Sequence, residues 1–553
     1  MADDNIAPSL NTHVEVERVE KARKRTLGNV RLRHQDTDEI ILIPAPSSDP
    51  NDPLNWPQWY KYYIATVVCV AMMMCNFLAA GPSIAIVDTT LDFFPGATPR
   101  ANPRLFVASV AKVSYFFTTT ALMQGLGNFF WVPIANKYGR RPTYVFSYLI
   151  YTVCAIWLCF EHSYSGFLAG RIIMGFGAGA AETIAPITIA DVFFLHERGT
   201  VMALYTSFLS VGVSLGIIIS GLITIDHDWR VIYQVASALI GFVLLLAFFG
   251  FPETAYIRDK QQSDDESSGP GVSTSEKTAA TASDVERAER PGPIRKTGSY
   301  LESLKIFHTS LTHESFLKLV ARPIGLICLP PVLWAALVEA VTIGFLVAVT
   351  SNVEVAFEET YGFKAWQAGL CFIGAIIGSI IGIPAGGQLG DKVADWFTRR
   401  NGGVRDPEMR LPAMLPCLIA TPLSLILYGV GIEHKLHWIC PTIGIALLNF
   451  ATVQGTNLCL VYVIDAYRPV AGEITLAVMG FKSLFGFLLS FYTNTWVKQS
   501  GYQSAYGVMA AISAIVILFA IPLYFWGKKI RHATWKWPII SYIHWNDDRE
   551  VGE

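Results

Sequence analysis

Apolar residues are arranged along this chain in twelve long runs separated by shorter polar segments. A helix needs about 20 mostly apolar residues, each rising about 1.5 Å, to cross the core of a bilayer. The runs therefore predict twelve membrane-crossing helices. Their expected positions are roughly 61–85, 108–134, 142–160, 165–190, 201–224, 231–251, 324–349, 366–390, 411–431, 437–464, 473–496 and 504–527.

One long polar insert at 253–322 divides the twelve runs into two sets of six. The insert is rich in Ser, Thr, Glu, Gly and Pro, which predicts a largely disordered loop. A charged segment, Trp131–Tyr144, follows the second run of the first half, and Gly386–Arg400 occupies the matching place in the second half. The expected fold is an all-α membrane protein with twelve transmembrane helices in two six-helix pseudo-symmetric bundles. The predicted units are a tail (1–60), a bundle (61–252), the loop (253–322), a bundle (323–528) and a tail (529–553).

The last part of the insert has a different pattern from the rest. Leu301, Leu304, Phe307 and Leu311 recur at helical spacing, which predicts an amphipathic segment on the membrane surface before the seventh helix. A loosely structured linker is the alternative.

Composition narrows the function classes. Of 553 residues, 52% are hydrophobic and 16% are charged, a balance typical of a membrane protein, and the net charge of -2 gives no reason to expect a nucleic-acid partner. The nine cysteines form no Cys-x-x-Cys pair, and the histidines all fall in tails or loops. We therefore expect no metal site, no cofactor and no intramembrane catalytic cluster, and the protein is not expected to be an enzyme.

The distribution of charge predicts the orientation in the membrane. One set of short loops and helix ends is basic and the other set is acidic. The basic set holds Lys137, Arg140, Arg141, Arg198, Lys392, Arg399, Arg400, Arg405, Arg410 and Arg468; the acidic set holds Asp88, Asp92, Glu161, Asp226, Asp228, Glu354, Glu358 and Glu359. The positive-inside rule then places both termini and the insert in the cytoplasm.

Several short motifs carry a resemblance to a known family. They are "DPNDPLNWPQW" (Asp49–Trp59), "ANKYGRR" (Ala135–Arg141), "GRIIMGFGAGA" (Gly170–Ala180), "ADVFFLHERG" (Ala190–Gly199), "FPET" (Phe251–Thr254) and "YVIDAYRPVAGE" (Tyr462–Glu473). Together they resemble the major facilitator superfamily over about 50–530, and in particular its fungal drug:proton antiporter group. The last motif is similar to the branch that includes polyamine and histidinol carriers.

The chain departs from the family pattern at two places. Val132 stands where the superfamily turn usually has glycine, and Asn136 replaces its acid. In the fifth helix the antiporter group typically carries Gly-Pro, whereas Gly216 is followed here by Ile217. The second departure weakens the case for export in particular.

The resemblance implies a cytoplasmic gate around the turn of "ANKYGRR". Its members would be Asn136, Gly139, Arg140 and Arg141 with the nearby Asp191, Glu197 and Arg198, and Asp391 in the second half. Arg140 and Arg141 are expected to bridge to Asp191 and Glu197 when this face is shut. Alternatively, the cations only follow the positive-inside rule.

Four charged residues fall inside the predicted helices: Arg171, Glu182, Glu339 and Lys482. An unpaired charge at mid-membrane costs roughly 2.5–3.5 kcal/mol, so such residues usually serve a function. Arg171 and Glu182 lie on one face about 16 Å apart, so both are expected to face a shared cavity. Glu182 and Glu339 are the predicted proton or cation sites, with static ion pairs as the alternative. Lys482 could belong to the site or simply neutralise a glutamate, and Arg171 could couple or snorkel.

Uncharged polar side chains could complete the pocket. Asn76 lies in the first helix, and Gln454 and Asn457 share one face of the tenth. In the family fold, helices one, four, seven and ten line the path. Hydrogen bonds that only pack helices are the alternative.

These observations predict a monomeric transporter in the plasma membrane that works by proton-coupled alternating access. The expected substrate is a small organic molecule, a drug-like compound or secondary metabolite moved outward. The alternative is proton-coupled import of polyamines or other organic cations. A channel is the first hypothesis from another class, but no filter-like loop is visible. A nutrient sensor on the same fold is the second, although such sensors usually carry a long cytoplasmic tail.

Overall fold

The computed structural model describes residues 30–31, 44, 46–47, 49–96, 102–256, 311–312, 314–535 and 537. Most of the predicted tails and of the central loop lie outside these ranges. Leu301, Leu304 and Phe307 of the predicted amphipathic segment also lie outside them.

Eight helices form the first half of the described chain. They are α1 (Gln58–Ala80), α2 (Ile86–Phe93), α3 (Pro103–Leu126), α4 (Asn128–Tyr138), α5 (Arg140–Phe160), α6 (Tyr164–Val192), α7 (Arg198–Ile223) and α8 (Arg230–Gly250). Short 3-10 helices at Pro53–Asn55 and Gly81–Ala85 precede α1 and join α1 to α2.

Eleven helices form the second half of the described chain. They are α9 (Phe316–Leu326), α10 (Pro330–Thr350), α11 (Val353–Tyr361), α12 (Ala365–Leu370), α13 (Ile373–Gly386), α14 (Gln388–Arg400), α15 (Leu415–Glu433), α16 (Ile439–Ala466), α17 (Ala471–Ser500), α18 (Tyr502–Leu518) and α19 (Ala520–Trp535). Further 3-10 helices are Pro407–Met414 and Arg468–Val470. Two short strands, β1 (Val30–Arg31) and β2 (Val404–Arg405), pair antiparallel.

Twelve helical segments of the described chain are long and apolar enough to cross a membrane. We number them spans 1 to 12: Gln58–Phe93, Arg104–Tyr138, Arg140–Phe160, Tyr164–Val192, Arg198–Ile223, Arg230–Gly250, Pro330–Thr350, Ala365–Arg400, Pro407–Glu433, Ile439–Ala466, Ala471–Ser490 and Tyr502–Thr534. The predicted number of spans and their division into six and six are confirmed.

The charged segments that were expected to form turns after the second and eighth apolar runs are mostly helical. Span 2 continues as α4 to Tyr138, and only Gly139 is non-helical before α5 begins. Span 8 continues as α14, with Asp391 in its first turn and Arg399 and Arg400 in its last. These charges complement the helix dipole, which favours anions at the N-terminus and cations at the C-terminus. We call the end of the protein that carries these segments the motif side.

The two halves meet along two seams. In the first, span 5 packs against spans 8 and 10, and Ser379 Oγ donates to Ser210 Oγ (2.8 Å) while Ser210 bonds Asn449. In the second, span 2 packs against span 11. Small residues allow both approaches because a side chain would separate the backbones.

The second seam closes only towards the motif side. A Cβ added to Gly125 of span 2 would lie 2.2 Å from Ser483 Cβ of span 11. Nearer the motif side, a Cβ at Gly480 would lie 3.0 Å from the ring of Phe129. Beyond Ser483 the two spans diverge, and this divergence opens the space described below.

Gly378 of span 8 tests the packing of the second half. A Cβ there would lie 2.0 Å from the carbonyl oxygen of Ala446 in span 10, so the backbones must move apart. We expect Gly378→Ala to lower the free energy of unfolding by about 1–3 kcal/mol. Thermal denaturation in detergent measures the change. Gly507→Ala is the matched control, because a Cβ at Gly507 meets no atom within 4 Å, and equal stability of the two variants would contradict this account.

Candidate transport site

A cavity of about 130 Å³ lies between the two halves. Its wall from the first half is formed by Asn76, Ala79, Ala80, Ser83, Phe117, Thr118, Ala121, Gln124, Glu182, Leu209 and Val213. Its wall from the second half is formed by Ile343, Gly344, Leu346, Val347, Thr350, Ser351, Lys482, Ser483, Gly486, Phe487 and Ser490. The cavity therefore extends from mid-membrane away from the motif side, since Thr350 and Ser351 stand at that end of span 7.

An ion pair that joins the halves forms the floor of this cavity. Lys482 Nζ of span 11 donates to Glu182 Oε1 of span 4. Both residues are buried, at 5% and 3% exposure. Removing one partner of such a pair leaves an uncompensated buried charge, so the two residues stabilise each other's ionised form.

Gln124 of span 2 fixes the other oxygen of Glu182, and the sequence analysis missed it. Its Nε2 donates to Glu182 Oε2 (3.4 Å) and to Cys75 Sγ (3.1 Å), while Cys75 Sγ donates to the carbonyl of Ala178 (3.0 Å). The sequence feature that could have identified Gln124 is an amide side chain in an otherwise apolar stretch of span 2.

Glu339 of span 7 lies behind the cavity wall. It is fully buried, and neither carboxylate oxygen has a hydrogen-bond partner among the described residues. It is close enough to Lys482 and Glu182 to interact electrostatically with both. The structure thus gathers Glu182, Glu339 and Lys482 into one buried group, in which two acids face one base.

Arg171 does not face the cavity, so the shared face expected for Arg171 and Glu182 is wrong in this structure. The guanidinium is fully buried and donates to the carbonyl oxygens of Leu78 (2.9 Å), Ala79 (3.3 Å) and Phe116 (2.9 Å). Because Pro82 has no N–H, the carbonyl of Leu78 lacks its helical donor. Arg171 therefore satisfies backbone groups that the break in span 1 leaves free, and it supports the cavity wall from behind.

Of the three uncharged polar residues predicted to complete the pocket, only one lines the cavity. Asn76 lines the cavity, and its Nδ2 also donates to the carbonyl of Met72 (3.3 Å). Gln454 and Asn457 lie outside the lining, and their amides donate to the carbonyls of Ala413 (3.0 Å) and Gly199 (3.3 Å). For these two residues the helix-packing alternative describes the structure.

A small apolar cluster separates the ion pair from the motif side. Val132, Ile187 and Leu476 are buried against one another, with Phe129 packed on them. Ile187 follows Glu182 in span 4 and Leu476 precedes Lys482 in span 11, so the cluster lies directly below the pair. Val132, the departure from the family glycine, supplies part of this barrier.

The predicted gate is partly assembled on the motif side. Arg140 Nε bonds Asp191 Oδ2 at 2.9 Å, as expected. Arg141 instead donates to the carbonyls of Phe248 (2.6 Å) and Phe251 (3.0 Å). The expected bridge to Glu197 is absent from the described contacts of Arg141. Glu197 accepts from Gln58 (3.3 Å), and Arg198 donates to the carbonyls of Ala190 and Phe193, where it caps span 4.

Glu253 of "FPET" organises the turn at Gly139. Its carboxylate accepts the backbone N–H groups of Arg140 (2.9 Å) and Arg141 (3.2 Å), which begin α5. Gly139 has φ +108°, and a Cβ there would lie 2.2 Å from Glu253 Oε2. Glycine is therefore required both by the backbone conformation and by the approach of Glu253.

Asn136 and Asp391 make equivalent contacts across the two seams. The Asn136 amide lies 3.4 Å from the position of a Cβ at Gly472, at the start of span 11. The Asp391 carboxylate lies 2.3 Å from the position of a Cβ at Gly199, at the start of span 5. Asp391 also pairs with Arg410 (2.9 Å) and approaches Arg405 (3.9 Å).

Comparison with known proteins identifies the family. The sequence model of the family described as Major Facilitator Superfamily matches residues 64–490. The chain belongs to the major facilitator superfamily.

Relatives of this transporter cover nearly its whole length. It is 26% identical to the uncharacterized MFS-type transporter C1271.10c of Schizosaccharomyces pombe, over 90% of this chain and 89% of that protein. It is 24% identical to Protein HOL1 of Saccharomyces cerevisiae, over 91% of this chain and 92% of that protein. The solved proton:xylose symporter XylE superposes with a TM-score of 0.57 at 15% identity, over 85% of this chain and 97% of that one. This likeness shows the fold and confirms the two pseudo-symmetric six-helix bundles.

The end of the central loop makes contacts that were not expected from the sequence of this transporter. The N–H of Leu311 donates to the carbonyl of Lys137 in the first half (2.9 Å). Arg322 of α9 is buried and binds Glu314 (2.5 Å) and Glu473 at the start of span 11 (2.9 Å). The end of the central loop is thus attached to both halves on the motif side.

Arg171 provides a test of the wall behind the cavity. Arg171→Met removes the donor of the Leu78 carbonyl, which Pro82 cannot replace, and a buried carbonyl without a partner costs about 1–3 kcal/mol. We expect a lower melting temperature in detergent without any substrate. Lys112→Met, which removes an exposed cation, is the control and should leave the melting temperature unchanged. An unaltered melting temperature for Arg171→Met would contradict this structural role.

Proposed function

We propose that this member of the superfamily is a secondary transporter that exchanges protons for a small organic molecule, a drug-like compound or secondary metabolite, and exports it across the plasma membrane. The proposal depends on one observation, the buried Glu182–Lys482 pair that joins the two halves at the floor of the cavity. The charge of a group at this point is affected both by what occupies the cavity and by the relative position of the halves.

Glu339 supplies the reason to propose protons as the coupling ion. With both oxygens unpartnered in the described structure, an ionised Glu339 depends on Lys482, which already binds Glu182. A proton on either glutamate removes the surplus negative charge of this group. A proton that enters or leaves therefore changes how strongly Lys482 ties the two halves together.

Proton coupling is tested by Glu339→Gln in proteoliposomes with an imposed pH gradient. We expect gradient-driven flux to fall by about 5-fold or more, the lower end of typical coupling energies, while substrate exchange without a gradient continues. The panel consists of polyamines and small phenolic and heterocyclic metabolites. Glu433→Gln, which alters a carboxylate outside the cavity, should behave as wild type. Undiminished gradient-driven flux in Glu339→Gln would remove this glutamate from the mechanism.

Import of an organic cation is the second candidate, favoured by the excess of acid over base in the buried group. The same vesicles separate the two candidates. Export by exchange predicts substrate movement against the direction of the proton gradient, and import by cotransport predicts movement along it.

The motif-side contacts are proposed to act as the gate that closes in the state described here. The N-terminus of a helix favours a nearby anion by about 0.3–1 kcal/mol. Asp391 offers such an anion to span 5, whereas Asn136 offers a neutral amide to span 11. Adding a negative charge at position 136 and removing the one at position 391 should therefore change the motif-side-open population in opposite directions.

We expect Asn136→Asp to reduce the motif-side-open population by about 2- to 5-fold and Asp391→Asn to increase it by a similar factor. Spin labels at Tyr138 and Trp396, exposed residues of opposite halves, would report the separation by pulsed dipolar spectroscopy. Shifts of the same sign in both variants would contradict the proposed gate.

A further inference from the structure

Gly486 of span 11 occupies an unusual position among the glycines of the seams. It lines the cavity one helical turn beyond Lys482 and on the same face. It is buried, yet a Cβ added there would meet no heavy atom within 4 Å. At Gly125 and Gly480 of the same seam, by contrast, the nearest heavy atoms would lie 2.2 and 3.0 Å away.

Helix packing therefore does not explain glycine at position 486. Glycine in the interior of a helix is less stable than alanine, because it loses more conformational freedom on folding. Here the absent side chain leaves open the space that continues from the ion pair. A larger side chain at this position would therefore fill part of the cavity.

The remaining wall indicates what kind of molecule this is. Glu182 and Lys482 are the ionisable side chains of the described lining, and both are at the floor. Above them the lining consists of apolar groups and neutral polar ones, such as Ala80, Val347, Thr350 and Ser490. A ligand that matches these walls has one charged or strongly polar end and an uncharged body.

We propose that Gly486 is a specificity-determining residue that sets the permitted width of the body of an amphipathic, single-headed substrate. The head lies at Glu182 and Lys482, and the body passes Gly486. This inference rests on the proposed transport function. A polycation fits less well, because its further charges would meet no carboxylate along the described walls.

Binding to the purified transporter in detergent tests the inference with probes of graded width. The probes are benzylamine, naphthylmethylamine and anthracenylmethylamine, and the corresponding arylacetic acids, with spermidine as the polycation. The amines would place a cation at Glu182 and the acids an anion at Lys482, so the two series report the sign of the head. Equilibrium dialysis gives the dissociation constants.

Gly486→Leu is compared with Gly507→Leu, which makes the same replacement in span 12. A Cβ at Gly507 also meets no atom within 4 Å, but this glycine lines a groove with Glu433 and Ser500 outside the cavity. We expect Gly486→Leu to weaken binding of the anthracenyl probe by about 10-fold or more relative to the benzyl probe. Gly486→Ala should fall between, and Gly507→Leu should match wild type.

Three results would overturn the inference: equal discrimination by width in Gly486→Leu and wild type, no binding of either aryl series to wild type, or tighter binding of spermidine than of any aryl probe. The vesicle assay separates this inference from the proposed function. Gradient-driven flux without an effect of Gly486→Leu would reject only the width selection. Width-dependent binding without gradient-driven flux would reject only the proton-coupled function.

Discussion

The Glu182–Lys482 ion pair is the interaction on which the arrangement of this transporter depends. Two opposite charges taken out of water are stable together only if each remains satisfied, and the loss of one partner costs about 3–5 kcal/mol. Because the partners belong to spans 4 and 11, that free energy opposes separation of the halves at mid-membrane. Gln124 orients the carboxylate, and the buried cluster of Val132, Ile187 and Leu476 lies between the ion pair and the motif side.

The pattern of apolar runs was sufficient to predict twelve spans, their division into two sets of six, and the intramembrane residues Glu182 and Lys482. The Arg140–Asp191 bridge was also predictable, because the family resemblance places both residues at neighbouring helix ends. Contacts between distant parts of the chain were not predictable. Periodicity assigns Gln124 to span 2, but it does not reveal that this amide meets the carboxylate of span 4.

Arg171 illustrates why a charge inside a span was misassigned. The expectation that a buried charge faces a cavity assumes that its partners are side chains or solvent. The partners of Arg171 are instead three backbone carbonyls. A carbonyl inside a helix is usually bonded to the N–H four residues later, so the sequence does not mark it as a partner for an arginine. Pro82 frees one of them, so the useful signal was a proline in span 1 combined with an arginine in span 4. Neither residue is informative alone.

The two seams are held by different contacts although the halves are pseudo-symmetric. At the start of span 5, Asp391 provides an anion that Arg410 holds in place, and the serine bonds of Ser210 and Ser379 continue that seam. At the start of span 11, Asn136 provides a neutral amide, the anion is Glu473 paired with Arg322, and the close glycine contacts end at Ser483. The seam of spans 2 and 11 is also the one that diverges into the cavity. The seam that borders the cavity therefore lacks the carboxylate contact that Asp391 makes across the other seam, and in the proposed gate this difference makes spans 2 and 11 the easier pair to separate.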